Sequence, residues 1–190
     1  MPSTRGLNFF EADPNLLHAL RTYAAARDVE RALPHLRELG RVAGSELDEL
    51  AAQADRNPPV LRNFDEHGNR VDEIEYHPSF VAMQKIGFAD FGFAAMSHRE
   101  GVLGWPTRVP HVVKYALSYL FVQAEFGLFC PISMTDSAAR VLAQFGPDEL
   151  RKRYLPGLTS TNFDSLLQSA QLLTERTGGS DVGANECVAR

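Results

Sequence analysis

The sequence contains few of the residues that define several common protein classes. Its 190 residues include only two cysteines, Cys130 and Cys187, which stand far apart and in no metal-ligand spacing. Two scattered cysteines do not make a disulfide scaffold, so a reducing, cytoplasmic setting is expected. The formal net charge of -5 argues against a general nucleic-acid binder, because such proteins carry a basic face.

Long apolar runs and targeting signals are lacking as well. The N-terminal residues show no apolar core of a signal peptide. The most apolar stretch, 112–134, is too polar to span a bilayer because it is interrupted by Lys114, Gln123, Glu125 and Pro131. The hydrophobic share of 44% and charged share of 23% are ordinary for a globular chain. We therefore expect one large or two small domains with a real core and no membrane partner.

Familiar catalytic and metal-binding motifs are also missing. The six histidines form neither an H-x-x-x-H nor an H-E-x-x-H pair, so no metal site is predicted. There is no G-x-S-x-G nucleophile elbow, no P-loop and no G-x-G-x-x-G fingerprint. The sequence therefore carries none of these common motifs of hydrolases, metalloenzymes and nucleotide-binding folds.

What the sequence does contain is apolar residues at helical spacing along most of its length, which predicts at least six helices packed in a bundle. The pairs Asp13-Pro14 and His77-Pro78 indicate helix starts, with proline at the first helical position. Other helical regions are predicted over 28–39, over 110–129 and over 133–145. A separate helix is predicted to begin after Gly44, with Ser45 as the cap of residues 46–54. A further helix is predicted from Pro147, after a left-handed stop at Gly146.

The helix predicted over 110–129 is apolar around nearly its whole circumference, which is typical of a helix buried among others. Gln123 and Glu125 are its polar exceptions and would need partners if buried. Residues 60–76, in contrast, predict a small hairpin-like excursion. The chain is expected to become extended, like a strand, near Gln171.

The stretch Thr174-Glu-Arg-Thr-Gly-Gly-Ser-Asp181 is rich in glycine and hydroxyl side chains. Glycines let a backbone approach a ligand closely and present successive N–H donors. Thr174 and Ser180 add hydroxyls that can donate or accept a hydrogen bond. Such a loop suits a polar heterocycle or a pyrophosphate, although an ordinary polar turn is the simpler explanation of the composition alone.

Two segments taken together resemble the acyl-CoA dehydrogenase superfamily. FGPDELRKRYLPGLTS (Phe145–Ser160) and LLTERTGGSDVG (Leu172–Gly183) resemble two signature motifs of that family, in its order and at about its spacing. Three further segments are similar to the AidB-like branch, the adaptive-response, alkylation-protection relatives: Asn8–Leu16, Arg56–Phe80 and Leu128–Leu142. The resemblance covers essentially the whole chain but only the front part of the family's architecture.

The resemblance implies a mainly α fold. Residues 1–170 would form the N-terminal helical-bundle domain of the acyl-CoA dehydrogenase fold. Residues 171–190 would begin the following β-domain with its first strand and the flavin-side loop. A C-terminal four-helix domain holds the family's catalytic glutamate, so no catalytic residue is assigned within 1–190 and the chain is expected to be a fragment.

The resemblance also implies FAD as cofactor. Leu173 and Thr174 would meet the pyrimidine side of the flavin. Gly179 and Ser180 would lie near the flavin and the acyl-CoA path. Arg176-Thr177-Gly178 stands where the common family has Pro-Gly-Ala, which departs from the usual CoA contacts.

Two functions follow from this resemblance. The full-length protein would carry out α,β-dehydrogenation of an acyl-CoA thioester, with hydride passing to flavin N5 and on to an electron acceptor, while the 190-residue chain alone would be inactive. Alternatively, it would be a protective or binding flavoprotein of the DNA alkylation response with little dehydrogenase activity. A homo-oligomer, a tetramer in the family, is expected, and any DNA contact would use the C-terminal part. A stand-alone helical adaptor is a third possibility.

Overall fold

The computed structural model describes residues 4–188. Residues 1–3, which begin the predicted helical domain, and residues 189–190, which end the predicted β-domain segment, lie outside the described residues. The described part is mainly helical, which confirms the predicted fold class. It contains α1 (Phe9–Ala12), α2 (Pro14–Tyr23), α3 (Ala26–Val42), α4 (Asp48–Arg56), β1 (Val60–Phe64), β2 (Arg70–Glu75), α5 (Pro78–Lys85), α6 (His111–Ala124), α7 (Phe129–Phe145) and α8 (Asp148–Leu158).

Two helix starts predicted from proline are confirmed. The Asp13 carboxylate accepts a hydrogen bond from the Asn15 N–H at 3.0 Å and caps α2. His77 Nδ1 accepts one from the Ser79 N–H at 3.2 Å and caps α5. In both helices proline occupies the first turn, where its missing N–H costs nothing.

The predicted break near Gly44 is wrong. α3 continues through one wide turn, Ala43–Leu47, directly into α4. The Ser45 hydroxyl donates back to the Arg41 carbonyl at 2.7 Å instead of capping a new helix. The Gly44 carbonyl accepts a hydrogen bond from the Gly6 N–H at 2.7 Å. Glycine here makes room for the N-terminal segment and does not end the helix.

The boundaries around α7 and α8 also differ from prediction. α6 ends at Ala124, and α7 begins at Phe129, four residues before the predicted start. Gly146 is extended, with φ -72° and ψ 145°, so the predicted left-handed stop is wrong. α8 begins at Asp148, one residue after the predicted start, because Pro147 serves as its N-cap. Such shifts of one to four residues are common at helix ends.

The core lies around α3 and α6, which pack against each other. Phe93 stands at its centre, with ring centroids 5.3 Å from Phe121 and 5.5 Å from Phe129 in edge-to-face geometry. α6 is only partly buried, contrary to its apolar composition, since Tyr115 and Tyr119 are exposed on its outer side. Over residues 4–188, no helix combines the length and the apolar character needed to cross a bilayer.

The predicted hairpin is confirmed. β1 and β2 pair antiparallel, with Val60 opposite Glu75 and Leu61 opposite Ile74. The Asp65 carboxylate accepts hydrogen bonds from the His67 and Asn69 N–H groups and closes the turn. Every residue of both strands is exposed, so the hairpin projects from the bundle.

The strand predicted near Gln171 does not form within the described residues. Residues 171–175 carry neither helix nor strand and are exposed or half-exposed. A strand exists only with a hydrogen-bonding neighbour, and β1 and β2 are the sole paired strands between residues 4 and 188. The assignment of 171–190 to a second domain stays a prediction.

Candidate functional site

The segment after α8 closes on itself into a loop, which we call the C-terminal loop (Leu173–Cys187). Asn185 Nδ2 donates to the Leu173 carbonyl. The Glu175 carboxylate accepts hydrogen bonds from the backbone N–H groups of Glu186 at 2.9 Å and Cys187 at 3.1 Å. The Glu175 N–H in turn donates to the Gly178 carbonyl at 2.7 Å. Three side-chain bonds thus tie the two ends of the loop together.

The four residues predicted to face a cofactor all lie on the exposed surface of this loop. Leu173 is 57% exposed, and the preceding Leu172 is 96% exposed. The Thr174 methyl group lies 3.7 Å from the position that a Cβ on Gly179 would occupy, so these two positions are neighbours. Among residues 4–188, neither the Thr174 nor the Ser180 hydroxyl has a hydrogen-bond partner.

The two central glycines have different surroundings. A Cβ on Gly178 would lie 2.3 Å from Asn185 Oδ1 and 2.8 Å from the Asp181 carbonyl, so the loop closes only around glycine. Among the described residues, a Cβ on Gly179 would meet nothing closer than the Thr174 methyl, so this side is open. Gly179 therefore offers a bare stretch of backbone to an approaching group.

These residues fit the edge of a flavin ring. Isoalloxazine needs hydrogen bonds at its carbonyl and nitrogen atoms and apolar surface along its plane. Among residues 4–188, the loop offers two unengaged hydroxyls, an open glycine and the exposed Leu173, which the exposed Leu172 precedes.

A second feature is a cleft between α6, α7 and α8, which we call the basic cleft. It has a volume of about 910 Å³ and is lined by residues between Ser97 and Thr159. Its floor holds Lys114, which is only 5% exposed although it lies on the most apolar helix. Lys114 Nζ donates to Asp136 Oδ2 at 2.6 Å and to Ser97 Oγ at 2.8 Å.

Asp136 has a second partner in this cleft. His98 Nε2 lies 2.8 Å from Asp136 Oδ1 and 3.1 Å from the Asp136 carbonyl, and since both oxygens accept, Nε2 carries the proton. Burial raises the pKa of Asp136, but the hydrogen bonds and charges of His98 and Lys114 outweigh it and hold the pKa below its usual value. The carboxylate is therefore ionised and fully engaged.

Sequence reasoning missed this cluster. Gln123 and Glu125 were the predicted polar exceptions on α6, yet Gln123 is exposed and Glu125 is half-buried, with Oε1 accepting from the Leu128 N–H at 2.8 Å. Lys114 is the buried one. A lysine within an otherwise apolar helix was the available signal. Within the described part of the chain, no three His, Cys, Asp or Glu side chains are grouped to hold a metal ion.

Comparison with known proteins shows the family of the chain. A family model described as the adaptive response protein AidB N-terminal domain matches residues 1–165. The chain belongs to this family. The resemblance read from Asn8–Leu16, Arg56–Phe80 and Leu128–Leu142 is thereby confirmed.

Curated relatives of this AidB-type domain include two acyl-CoA dehydrogenase homologues. The putative acyl-CoA dehydrogenase AidB of Escherichia coli is 30% identical over 94% of the chain and 33% of that protein. Acyl-CoA dehydrogenase family member 11 of Caenorhabditis elegans is 28% identical over 92% of the chain and 28% of that protein. The chain therefore spans about a third of the length of these relatives.

Solved structures show the same fold. The apo form of Bd2924 has a TM-score of 0.84 and 32% identity, covering 96% of this chain and 35% of that one. Caenorhabditis elegans ACDH-11 in complex with C11-CoA has a TM-score of 0.82 and 27% identity, covering 96% and 31%. The AidB-type chain thus has the fold of the N-terminal part of acyl-CoA dehydrogenase homologues.

Proposed function

We propose that this chain is the N-terminal part of an FAD-dependent, acyl-CoA dehydrogenase-like flavoprotein. The observation that carries the proposal is the C-terminal loop, in which Leu173, Thr174, Gly179 and Ser180 are all exposed and, within residues 4–188, both hydroxyls are unengaged. Membership in the AidB family and the likeness to acyl-CoA dehydrogenases support it.

Each residue has a stated role in this proposal. The Thr174 hydroxyl and the backbone at Leu173 meet the pyrimidine side of the flavin. Gly179 leaves the backbone bare where the ring approaches, and Ser180 supplies a second hydroxyl. Glu175 and Asn185 do not contact the flavin in this proposal. Their hydrogen bonds hold the two ends of the loop together. The loop is thus a positioning element that excludes water from one edge of the ring.

The substrate class in this proposal is an acyl-CoA thioester. When bound, FAD accepts the hydride from the substrate's β-carbon. The similar ACDH-11 structure is a complex with C11-CoA, which supports a thioester of this kind as ligand. The base that removes the α-proton is assigned to no residue of this chain.

Substitutions in the C-terminal loop test the proposal in the native protein that contains this chain. Thr174→Val removes one hydroxyl at nearly constant shape, and Ser180→Ala removes the other. Loss of a hydrogen bond costs about 0.5–1.5 kcal/mol, or up to about 3 if a buried partner is left unsatisfied. The Kd for FAD should therefore rise by roughly three- to a hundred-fold. Thr177→Val, in the same loop, is the matched control. Unchanged FAD affinity and flavin spectrum in both variants would contradict the assignment.

A second candidate function is a protective or binding flavoprotein with little dehydrogenase activity. The description of the matching family as an adaptive response protein favours it. Anaerobic addition of a panel of acyl-CoA thioesters to the FAD-loaded native protein separates the two functions. Rapid bleaching of the flavin supports the dehydrogenase, while a silent panel together with retention of DNA supports the binding protein.

A further inference from the structure

The basic cleft is separate from the C-terminal loop. All its lining residues lie between Ser97 and Thr159, and none belongs to the segment 172–188. Its volume of about 910 Å³ is in the range of small-molecule sites. A function for this cleft is therefore independent of the flavin proposal.

The charge in the cleft is predominantly positive. Besides the Asp136-bound His98, six lining side chains can carry positive charge: Arg108, His111, Lys114, Arg140, Arg151 and Lys152. Of the residues that the structure describes, Asp136 is the single carboxylate that lines the cleft, and it already binds Lys114 and His98. The chain as a whole has a net charge of -5, so this cluster of positive charge differs in sign from the chain as a whole. Such a cleft concentrates anions.

Three of these cations are available to a ligand. Throughout residues 4–188, the side chains of Arg108, Arg140 and Lys152 make no hydrogen bond or ion pair with the protein. Arg151, in contrast, is held by Asp148, and Lys114 by Asp136. A guanidinium offers a fork of donors that matches two phosphate oxygens. The guanidinium groups of Arg108 and Arg140, together with the ammonium group of Lys152, can therefore bind more than one phosphate group.

The remaining wall of the cleft is apolar and aromatic. Val109, Pro110, Leu155 and Pro156 line it beside the cations. Tyr115 also lines it, is 64% exposed, and stacks at 6.5 Å between ring centroids with His111. An exposed ring beside a cationic surface provides a stacking platform for a planar base. An inorganic ion alone would leave this half of the cleft unused.

We propose that the basic cleft binds a nucleoside polyphosphate. Its phosphates lie against Arg108, Arg140 and Lys152, and its base lies against Tyr115. Lys114 lies at the floor of the cleft, where Asp136 and Ser97 fix its position and Asp136 compensates its charge. No covalent step is involved, so the cleft acts as a binding site.

Calorimetry on the native protein that contains this chain tests this site with ADP, adenosine and inorganic pyrophosphate as probes. ADP should bind. Adenosine and pyrophosphate should each bind at least about tenfold more weakly, because adenosine contacts only the aromatic side of the cleft and pyrophosphate only the cations. ADP affinity should fall as NaCl is raised, since the contacts are ionic. Pyrophosphate binding as tightly as ADP would contradict the role of Tyr115, and no ADP binding at millimolar concentration would overturn the site.

Variants then locate the site. Arg140→Gln and Lys152→Gln should each weaken ADP binding by about tenfold, the effect of one charged hydrogen bond. Arg153→Gln is the matched control, because Arg153 neighbours Lys152 on α8 but places its guanidinium over the Tyr154 ring at 5.1 Å and does not line the cleft. Circular dichroism checks that each variant is folded. Equal losses in Arg153→Gln and Lys152→Gln would overturn the placement.

Discussion

The ammonium group of Lys114 lies 2.6 Å from the Asp136 carboxylate and joins α6 to α7. The Lys114 side chain is only 6% exposed and that of Asp136 is 24% exposed. The surface pair of Arg41 and Glu38, by comparison, is 56% and 55% exposed. Exposed pairs contribute little to stability, while removal of one partner from a buried pair leaves an uncompensated charge.

Asp136→Ala should destabilise the fold more than Lys114→Met does. The first change leaves a buried ammonium with only Ser97 as partner, and we expect a loss of about 3–5 kcal/mol in the free energy of unfolding. Lys114→Met leaves Asp136 with His98 and partial access to water, so its cost should be smaller. Urea unfolding of both variants measures the difference. Equal or reversed losses would contradict the described network.

The stability of the chain should fall in acid partly because of Asp136. Its pKa is lower in the folded than in the unfolded state, so its contribution is full above the unfolded pKa of about 3.9. The contribution is lost as pH falls from there through the folded pKa. Urea unfolding at several pH values below about 5 should therefore show a shallower pH dependence for Asp136→Asn than for Glu149→Gln, an exposed control on α8. Parallel curves for these two variants would argue against this role.

The helical part of the fold was predictable because its signals are local. Caps such as Asp13 and His77 act within three residues, and apolar periodicity reports burial of a helix face directly. Gly44 was misread because its carbonyl is held by Gly6, nearly forty residues away in sequence. A glycine that ends a helix and one that admits a distant segment look alike in the sequence.

Gly44→Ala should destabilise the chain although alanine is the better helix former by about 1 kcal/mol. The new Cβ would lie 1.7 Å from the Leu7 carbonyl oxygen, so the N-terminal segment must move. We expect a net loss of about 1–3 kcal/mol, as for other overpacked sites. Ser45→Ala, at the next position, should change stability by less than about 0.5 kcal/mol. Thermal unfolding measures both, and a stabilised Gly44→Ala protein would contradict the contact with Leu7.

The two glycines of the C-terminal loop should respond differently to alanine. Gly178→Ala should open the loop, because the new Cβ would overlap Asn185 and the Asp181 carbonyl. Gly179→Ala should keep the loop intact but obstruct the flavin, since its Cβ would point into open space beside Thr174. Hydrogen exchange at the Glu186 and Cys187 amides, which Glu175 binds, reports loop closure. Faster exchange in Gly179→Ala than in Gly178→Ala would contradict this division.

The candidate sites were predictable to different degrees. The C-terminal loop carries its chemistry in consecutive residues, so Thr174, Gly179 and Ser180 could be named from sequence, although their role toward a cofactor stays a prediction. The basic cleft brings together α6, α7 and α8, and its cations are spread from Arg108 to Lys152. The packing of these helices with the segment that precedes α6, which carries Arg108, makes the cations neighbours, and no spacing rule along the chain encodes it.

Flavin content is the most direct measurement of the proposed function. The native protein that contains this chain, purified in the presence of saturating FAD and then freed of unbound cofactor, should retain flavin absorbance in the visible range. Gly179→Ala should lower the retained flavin, while Thr177→Val should leave it unchanged. A protein that is folded by circular dichroism and yet retains no flavin would contradict the assignment of the C-terminal loop to FAD.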